Sequence, residues 1–334
     1  MHLPQARGPL SSQVVDDVAG RPAQPLSSLR PDPASDVLRD ADLQLALWTL
    51  YELHYRGFDD VPGDREWDSD LIALRGRLEA VFEDSLRRAT REVVAQGAAG
   101  GGDVPDQVMA VVDAVGGAPV AAFLQRKATR GQVLDFMAQR SLYHLKESDP
   151  SSLVLARVDG RAKTALAEIL YDEYGAGRPE RLHAGLFAAA LEGCGLDSRY
   201  GAYVDTTPAT TLAVNNLMSL FGLNRRLRGA ALGHLAAFEA TSSVPCRRIA
   251  AGIERVGLPA VVAAYFHEHV EADSVHEQVA LRDLCGGLVA DEPQLLEDVL
   301  FGAAACVHLD DVAGSELLDH WQDADRWAGD EAAS

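Results

Sequence analysis

Cysteine is scarce in this sequence of 334 residues, and its spacing excludes a disulfide framework. No C-x-x-C pair is present, and the cysteines lie among apolar or small residues, as is typical of reduced thiols in a cytosolic chain: Cys194, Cys246, Cys285 and Cys306. The sequence also lacks an uninterrupted run of about 18 apolar residues, so we expect no membrane span. Residues 1–30 lack the apolar segment of a signal peptide, and we therefore predict a cytoplasmic protein.

Basic residues are in the minority, which limits the possible partners. The chain has 30 lysines and arginines against 50 acidic residues, giving a formal net charge of −20. A nucleic acid needs a basic footprint on its protein partner, and an anionic membrane surface repels an acidic protein. We therefore expect neither partner. Hydrophobic residues make up 47% of the chain, an ordinary share that allows a buried core.

Sustained alternation of apolar and polar residues, the pattern of β-strands, is also absent. Apolar residues instead recur with helical spacing through most of the chain, for example over 131–147, 222–242, 246–256 and 258–288. Proline and glycine interrupt the segments at Asp149-Pro150, Gly175-Ala-Gly177, Gly257-Leu-Pro259 and Glu292-Pro293. The sequence therefore predicts an all-α protein built as a helical bundle.

The composition changes along the chain and suggests a division into regions. Residues 1–34 are rich in proline, serine and alanine without periodicity, and we predict a disordered tail there. Residues 35–128 form a predicted N-terminal helical region, which contains a glycine-rich linker beginning at Gly97. Residues 129–325 carry the candidate site described below, and 326–334 form a second predicted tail.

The segment from Phe266 to Glu277 contains the first candidate metal ligands. His269, Asp273 and His276 are spaced i, i+4 and i+7, so at about 100° per residue they share one face of a helix. Two imidazoles and a carboxylate suit iron, although zinc also accepts them. The same three residues are compatible with a solvated polar stripe, and the spacing alone does not distinguish the two interpretations.

Further metal ligands have to come from other helices. Glu239 lies in an otherwise apolar stretch, where a carboxylate is costly to bury unless it is paired or metal-bound. Other candidates lie at the predicted ends of helices: Glu147 and Glu173 at C-terminal ends and His183 at an N-terminal start. A rival interpretation uses Glu180-x-x-His183, which has the Glu-x-x-His spacing of ferritin-like bundles.

The order and spacing of these residues resemble those of the haem-oxygenase-like diiron oxidases, a family also described as iron-containing redox enzymes. The similar pattern begins at Asp172-Glu173-Tyr-Gly and Arg178-x-Glu-Arg-x-His183. It continues through Glu239 to His269-x-x-x-Asp273-x-x-His276 and covers more than half of the chain. The resemblance implies a haem-oxygenase-like bundle over 129–325, preceded by a helical region that supports dimerisation.

The resemblance also implies a role for each candidate residue. One iron would be held by Glu173, His183 and His269, and the other by Asp273 and His276. Glu239 would bridge or approach both ions. Glu147 would add a carboxylate on the side of the second iron. Glu147 and Glu239 are therefore the expected catalytic carboxylates.

For function, the resemblance implies two Fe²⁺ ions, O₂ as cosubstrate and a peroxo-diferric intermediate. We expect N-oxygenation of a small amine in natural-product biosynthesis, catalysed by a homodimer. We also expect a separate electron donor, because the sequence contains no nucleotide-binding fingerprint. The chain ends at Ser334, so the cupin domain of some relatives is not expected. Two alternatives remain: oxidative decarboxylation or C–C cleavage of a fatty or amino acid, and a non-catalytic helical binding or scaffold protein.

Overall fold

The computed structural model describes residues 1–22, 24–32 and 34–332, without the side chains of 271–275 and 324–332. These described residues contain helices and turns but no β-strand, which confirms the predicted all-α class. A π-helix, Val279–Cys285, directly follows α12. In chain order the α-helices are α1 Pro9–Val18, α2 Ala41–Glu52, α3 Ser69–Ala99, α4 Val104–Val115, α5 Val120–Arg126, α6 Arg130–His144, α7 Asp149–Ser152, α8 Gly160–Glu173, α9 His183–Cys194, α10 Ala209–Leu223, α11 Arg228–Arg255, α12 Ala260–Gln278, α13 Gly286–Asp291 and α14 Leu296–Ala332.

The first 34 residues differ from the predicted disordered tail, because they contain α1, which packs against α2. Leu10, Val14 and Val18 are spaced four residues apart, so they form one apolar stripe, and all three are buried. The carboxylate of Asp42 in α2 accepts hydrogen bonds from the backbone N–H groups of Leu10 (2.9 Å) and Ser11 (2.6 Å). The proline- and serine-rich composition concealed this short stripe.

The N-terminal helices share their core with the rest of the chain. One continuous cluster of buried apolar side chains extends from α1 to α14, and a second lies between α5, α6, α9, the second half of α11 and α12. Helix α14 packs against both α3 and α4. The boundary at residue 128 remains a prediction, since the apolar packing continues across it.

Helix α11 is the central element of the bundle. It packs against α5, α12 and α14, and it passes without a break through Pro245, where the sequence predicts two separate helices. The contact with α14 is very close, because a Cβ atom added at Gly233 would lie 1.9 Å from the carbonyl oxygen of Val299. Packing on three sides therefore offsets the backbone hydrogen bond that Pro245 removes.

Candidate spans across a membrane were also considered among the described residues. No single helix there is both long enough and apolar enough to cross a bilayer, although α4 and α5, bent by 64° relative to each other, have the required length and composition when taken together.

Candidate metal centre

Six of the seven residues predicted as ligands converge inside the bundle. They come from four places in the chain: the turn after α6 (Glu147), the junction of α8 and α9 (Glu173 and His183), α11 (Glu239), and α12 (His269 and His276). Glu173 is the last residue of α8 and His183 the first of α9, as predicted. Glu147 lies three residues beyond the end of α6, not inside a helix extending to residue 147.

The first group of side chains consists of two glutamates and two histidines. Glu147, Glu173, His183 and His269 each offer one ligand atom, and these atoms lie within 4.8 Å of one another. Nδ1 of His183 is 3.1 Å from Oε2 of Glu173 and 4.0 Å from Oε1 of Glu147. Nε2 of His269 is 3.6 Å from Oε1 of Glu147. This geometry is compact enough for one metal ion to contact all four.

The second group shares Glu173 with the first. It adds Glu239 and His276, and its three ligand atoms also lie within 4.8 Å of one another. Nδ1 of His276 is 3.5 Å from Oε2 of Glu239 and 4.0 Å from Oε1 of Glu173. One carboxylate oxygen of Glu173 therefore faces His183 of the first group, and the other faces His276 of the second group.

This arrangement differs in two respects from the one that the family resemblance implied. Glu147 lies with His183 and His269, not on the side of His276, and the carboxylate common to both groups is Glu173, not Glu239. The backbone of Asp273 lies in α12, but its side chain is outside the described residues. Glu180 is exposed and belongs to neither group, which argues against the ferritin-like Glu-x-x-His interpretation.

Hydrogen bonds fix which ring nitrogen of each α12 histidine faces the groups. Nδ1 of His269 lies 2.9 Å from the carbonyl oxygen of Tyr265, and Nε2 of His276 lies 3.2 Å from a carboxylate oxygen of Asp172. The opposite nitrogens, Nε2 of His269 and Nδ1 of His276, therefore point toward the glutamates. A neutral imidazole that donates from one nitrogen presents a lone pair on the other, as a metal ligand requires.

Several polar atoms at the centre are buried without a hydrogen-bond partner among the described residues: Oε1 of Glu147, Nδ1 of His183 and Nδ1 of His276. A buried polar atom left in this state costs about 1–3 kcal/mol. All three atoms face the two groups, so bound metal ions would satisfy them. Carboxylate oxygens and imidazole nitrogens are also donors that iron accepts. The residues present therefore fit an iron centre.

Two residues that the sequence analysis missed hold the carboxylate of Glu147. The hydroxyl group of Tyr265 donates to Oε2 of Glu147 (2.6 Å), and Nδ1 of His144 lies 2.8 Å from the same oxygen. Burial alone would raise the pKa of Glu147, but the imidazoles of His144 and His269 hold it well below its usual value. The spacing gives the signal that was available: Tyr265 precedes His269 by one helical turn, and His144 precedes Glu147 by three residues.

The histidines of the metal-free centre bind protons readily because of the acids around them. Burial lowers the pKa of His276, but the Glu239 and Asp172 carboxylates outweigh it and raise the pKa to about 9. In the same way, the Glu173 carboxylate overcomes burial and raises the pKa of His183. A cationic species is therefore favoured at this position, and a metal ion has to displace these protons.

A cavity of about 510 Å³ lies beside the centre. It is lined by the end of α4, the α4–α5 connection, α5, α6, α10, α11, α12 and α14, and it opens to the surface. Tyr143 and Phe238 line this cavity and also a second, small cavity that is lined by Glu147, Glu173 and Glu239. Their rings are stacked with centroids 5.0 Å apart, so the pair forms a partition between the cavity and the candidate ligands.

The fold and the site together define a class of all-helical proteins with a metal centre of buried glutamates and histidines, a set of donors that iron accepts. The model of the family described as "iron-containing redox enzyme" matches residues 134–311, more than half of the chain. The chain belongs to this family and is an iron-dependent oxidoreductase.

Among curated proteins, the chain is similar to nitrosourea synthase from Streptomyces achromogenes subsp. streptozoticus. The two are 28% identical over 188 residues, which are 55% of this chain and 40% of that protein. The similarity therefore spans less than half the length of this relative.

Two solved structures of a CADD-like protein of unknown function from Nostoc punctiforme PCC 73102 are also similar. One has a TM-score of 0.48 at 19% identity, covering 70% of this chain and 97% of that one. The other has a TM-score of 0.47 at 18% identity, covering 70% and 95%.

Proposed function

We propose that this protein is a non-haem diiron oxygenase that uses O₂ to oxidise the nitrogen of a small amine. The observation that carries the proposal is the pair of ligand groups sharing Glu173. A single metal site would need only one such group. Two adjoining groups with a common carboxylate provide positions for two ions held close together.

In this proposal, Glu147, His183 and His269 hold one iron, and Glu239 and His276 hold the other. Glu173 would belong to both sets of ligands. Asp273 is kept as a predicted ligand beside His276 because of the resemblance in sequence, in which it lies three residues before His276. The three described glutamates offset most of the charge of two Fe²⁺ ions. Burial of all six side chains keeps bulk water away, which strengthens these electrostatic interactions.

Two ferrous ions bound at the centre supply electrons for the reduction of O₂. In the balanced reaction, R–NH₂, O₂, two electrons and two protons give R–NHOH and water. The electrons come from a separate donor, which is an expected partner, as is a second copy of the chain. Tyr265 and His144 hold the Glu147 carboxylate in place, while Asp172 and the Tyr265 carbonyl keep the two α12 imidazoles oriented.

Similarity to nitrosourea synthase supports oxidation of nitrogen over cleavage of carbon. A nitrosourea, the product in that protein's name, carries oxygen on nitrogen. Oxidative decarboxylation or C–C cleavage of a fatty or amino acid is the outcome that a product assay has to exclude.

Anaerobic titration with Fe(II) tests the centre directly. We expect two ions per chain for the wild type. We expect one for His183→Ala or Glu239→Ala, since each removes a ligand from a single group, and none held tightly for Glu173→Ala, which removes the shared one. The matched control is His267→Ala, because His267 lies on α12 but contacts Glu254 away from the centre (3.1 Å). One ion per chain in the wild type would contradict the diiron proposal.

Product analysis tests the reaction. The loaded protein is mixed with ¹⁸O₂, a reductant, and panels of amines and of fatty and amino acids. We expect ¹⁸O-labelled hydroxylamine or a more oxidised nitrogen product from an amine. Release of CO₂ or an alkene from the acids, with the amines unchanged, would instead support the alternative reaction.

A further inference from the structure

The cavity beside the metal centre has the size and lining of a ligand pocket. Its volume of about 510 Å³ falls within the range of roughly 300–1,000 Å³ that holds small organic ligands. Much of its wall is apolar, with contributions from Leu217, Phe238, Ile249, Phe266, Val307 and Leu309. An apolar wall of this extent favours a ligand with an apolar body.

Two largely buried polar side chains in the wall, Tyr143 (5% exposed) and His234 (7% exposed), make no side-chain hydrogen bond to a described residue. Neither the phenol hydroxyl of Tyr143 nor an imidazole nitrogen of His234 is among the fully enclosed polar atoms that lack a partner, so these atoms are open to the cavity. A ligand or water in the cavity can therefore hydrogen-bond to them. They are the groups available to orient a polar atom of the ligand.

The charged and titratable groups deeper in the wall already have partners. Arg140 is partly buried and forms an ion pair with Asp310 (2.7 Å), which is exposed, and His144 is held by Glu147 and Tyr265. The other charged residues that line the cavity, Asp113 and Arg248, are exposed and therefore lie at its mouth. A charged ligand group placed inside would have no free counter-ion, and burying an unpaired charge is costly.

We propose that this cavity binds the organic substrate, and that the part of the substrate inside it is uncharged, with an apolar body and a single hydrogen-bonding group held by His234 and Tyr143. This inference rests on the proposed function only for the identity of the ligand as the substrate. Under that function, an amine enters as its neutral free base, which is also the form whose nitrogen lone pair is available for oxidation.

The Tyr143–Phe238 pair sets the length of ligand that reaches the centre. It stands between the cavity and the glutamates, so the reactive end of the ligand has to pass or displace one of these rings. Phe238 is only half-buried, whereas Tyr143 is buried and also contacts the ring of His144. Phe238 is therefore the ring that can turn aside.

Binding to the metal-free protein tests the proposal separately from iron binding. The probes are phenylbutanol, phenylbutylamine and phenylbutyrate, which share one apolar body and differ in charge. Calorimetry at pH 7 is expected to show phenylbutanol binding at least about tenfold more tightly than either charged compound, because of the cost of burying their charges. Because no metal is present, loss of binding here and loss of iron binding are independent results.

Substitutions locate the ligand. Ala122→Trp fills the cavity from its α5 wall and is expected to abolish phenylbutanol binding. Ala189→Trp is the matched control, since Ala189 is a half-buried alanine of α9 outside the cavity wall. His234→Phe is expected to weaken phenylbutanol about fivefold, the value of one lost hydrogen bond, without weakening butylbenzene. Melting temperature and Fe(II) stoichiometry, measured for each variant, report on folding.

Three results would overturn the inference. They are equal or tighter binding of phenylbutyrate or phenylbutylamine, wild-type affinity in the folded Ala122→Trp protein, and no measurable binding of any of the three probes. If the wild type still binds two Fe(II) ions, each of these results leaves the diiron proposal standing.

Discussion

Two buried histidines take up protons very differently because their neighbours differ. His276 lies beside Glu239 and Asp172, and its pKa is raised to about 9. His234 has no acidic neighbour, and burial lowers its pKa to about 4. At neutral pH the metal-free protein therefore carries a proton on His276 and none on His234, although both rings are buried.

His234 makes a specific contribution to the pH dependence of stability. Its pKa rises from about 4 in the folded chain to its ordinary value of 6.5 on unfolding, so the unfolded chain binds more protons between these values. The contribution of His234 to the free energy of unfolding is fully present above pH 6.5 and is lost as the pH falls toward 4. Lowering the pH from 7 to 5 is expected to cost roughly 2 kcal/mol through this residue. Urea unfolding of the metal-free wild type and His234→Phe at both values measures it. The same loss in both proteins would contradict the assignment.

At the level of single residues, the resemblance to the diiron oxidases, carried by the order and spacing of these residues, was sufficient to find most of the centre. Glu147, Glu173, His183, Glu239, His269 and His276 were predicted and do converge. The sequence did not reveal which carboxylate is shared, because that depends on how α8 and the turn after α6 meet α12. Asp172 and Glu173 show the difficulty, because they are adjacent in the sequence but contact different nitrogens of His276. Asp172 lies near Nε2, and Glu173 lies near Nδ1, which faces the ligand groups.

At the level of elements, the turn from Leu145 to Ser148 contacts both helix α2 and the candidate metal centre. Lys146 is 2% exposed and forms an ion pair with Glu52 of α2, which also accepts a hydrogen bond from the hydroxyl of Tyr200 (2.7 Å). The ammonium group of Lys146 lies 4.1 Å from the centre of the Tyr55 ring. The next residue, Glu147, faces the candidate metal centre instead.

Removing one partner of this buried ion pair is expected to be costly. Lys146→Met leaves the Glu52 carboxylate buried without its counter-ion, at a cost of about 3–5 kcal/mol in the free energy of unfolding. The double variant Lys146→Met/Glu52→Leu removes both charges and should recover most of that loss. Urea unfolding of the two single variants and the double variant provides the measurement. Additive losses in the double variant would show that the two charges do not stabilise each other.

Periodicity predicted the helices well where each has its own apolar face and cap. Helix α6 begins at a capping box formed by Thr129 and Gln132, and such signals lie within a few residues of each other in the sequence. The continuation of α11 through Pro245 was missed, because packing against three other helices stabilises it. Those contacts come from distant parts of the chain and leave no local signal.

At the level of the whole molecule, the N-terminal segment belongs to the folded core. Leu10 of α1 is 6% exposed, whereas Val15 on the same helix is only half-buried. Leu10→Ala is expected to lower the free energy of unfolding by about 2–3 kcal/mol, as large-to-small substitutions in a core do. Val15→Ala should cost clearly less. If residues 1–34 formed a mobile tail, neither substitution would change a urea unfolding curve.

The turn after α6 connects the first helices to the candidate metal centre inside the bundle. Lys146 and Glu147 are joined by a single peptide bond, so a shift of α2 that pulls on one side chain also moves the other. A displacement of α2 should therefore weaken the hold on iron as well as loosen the shared core.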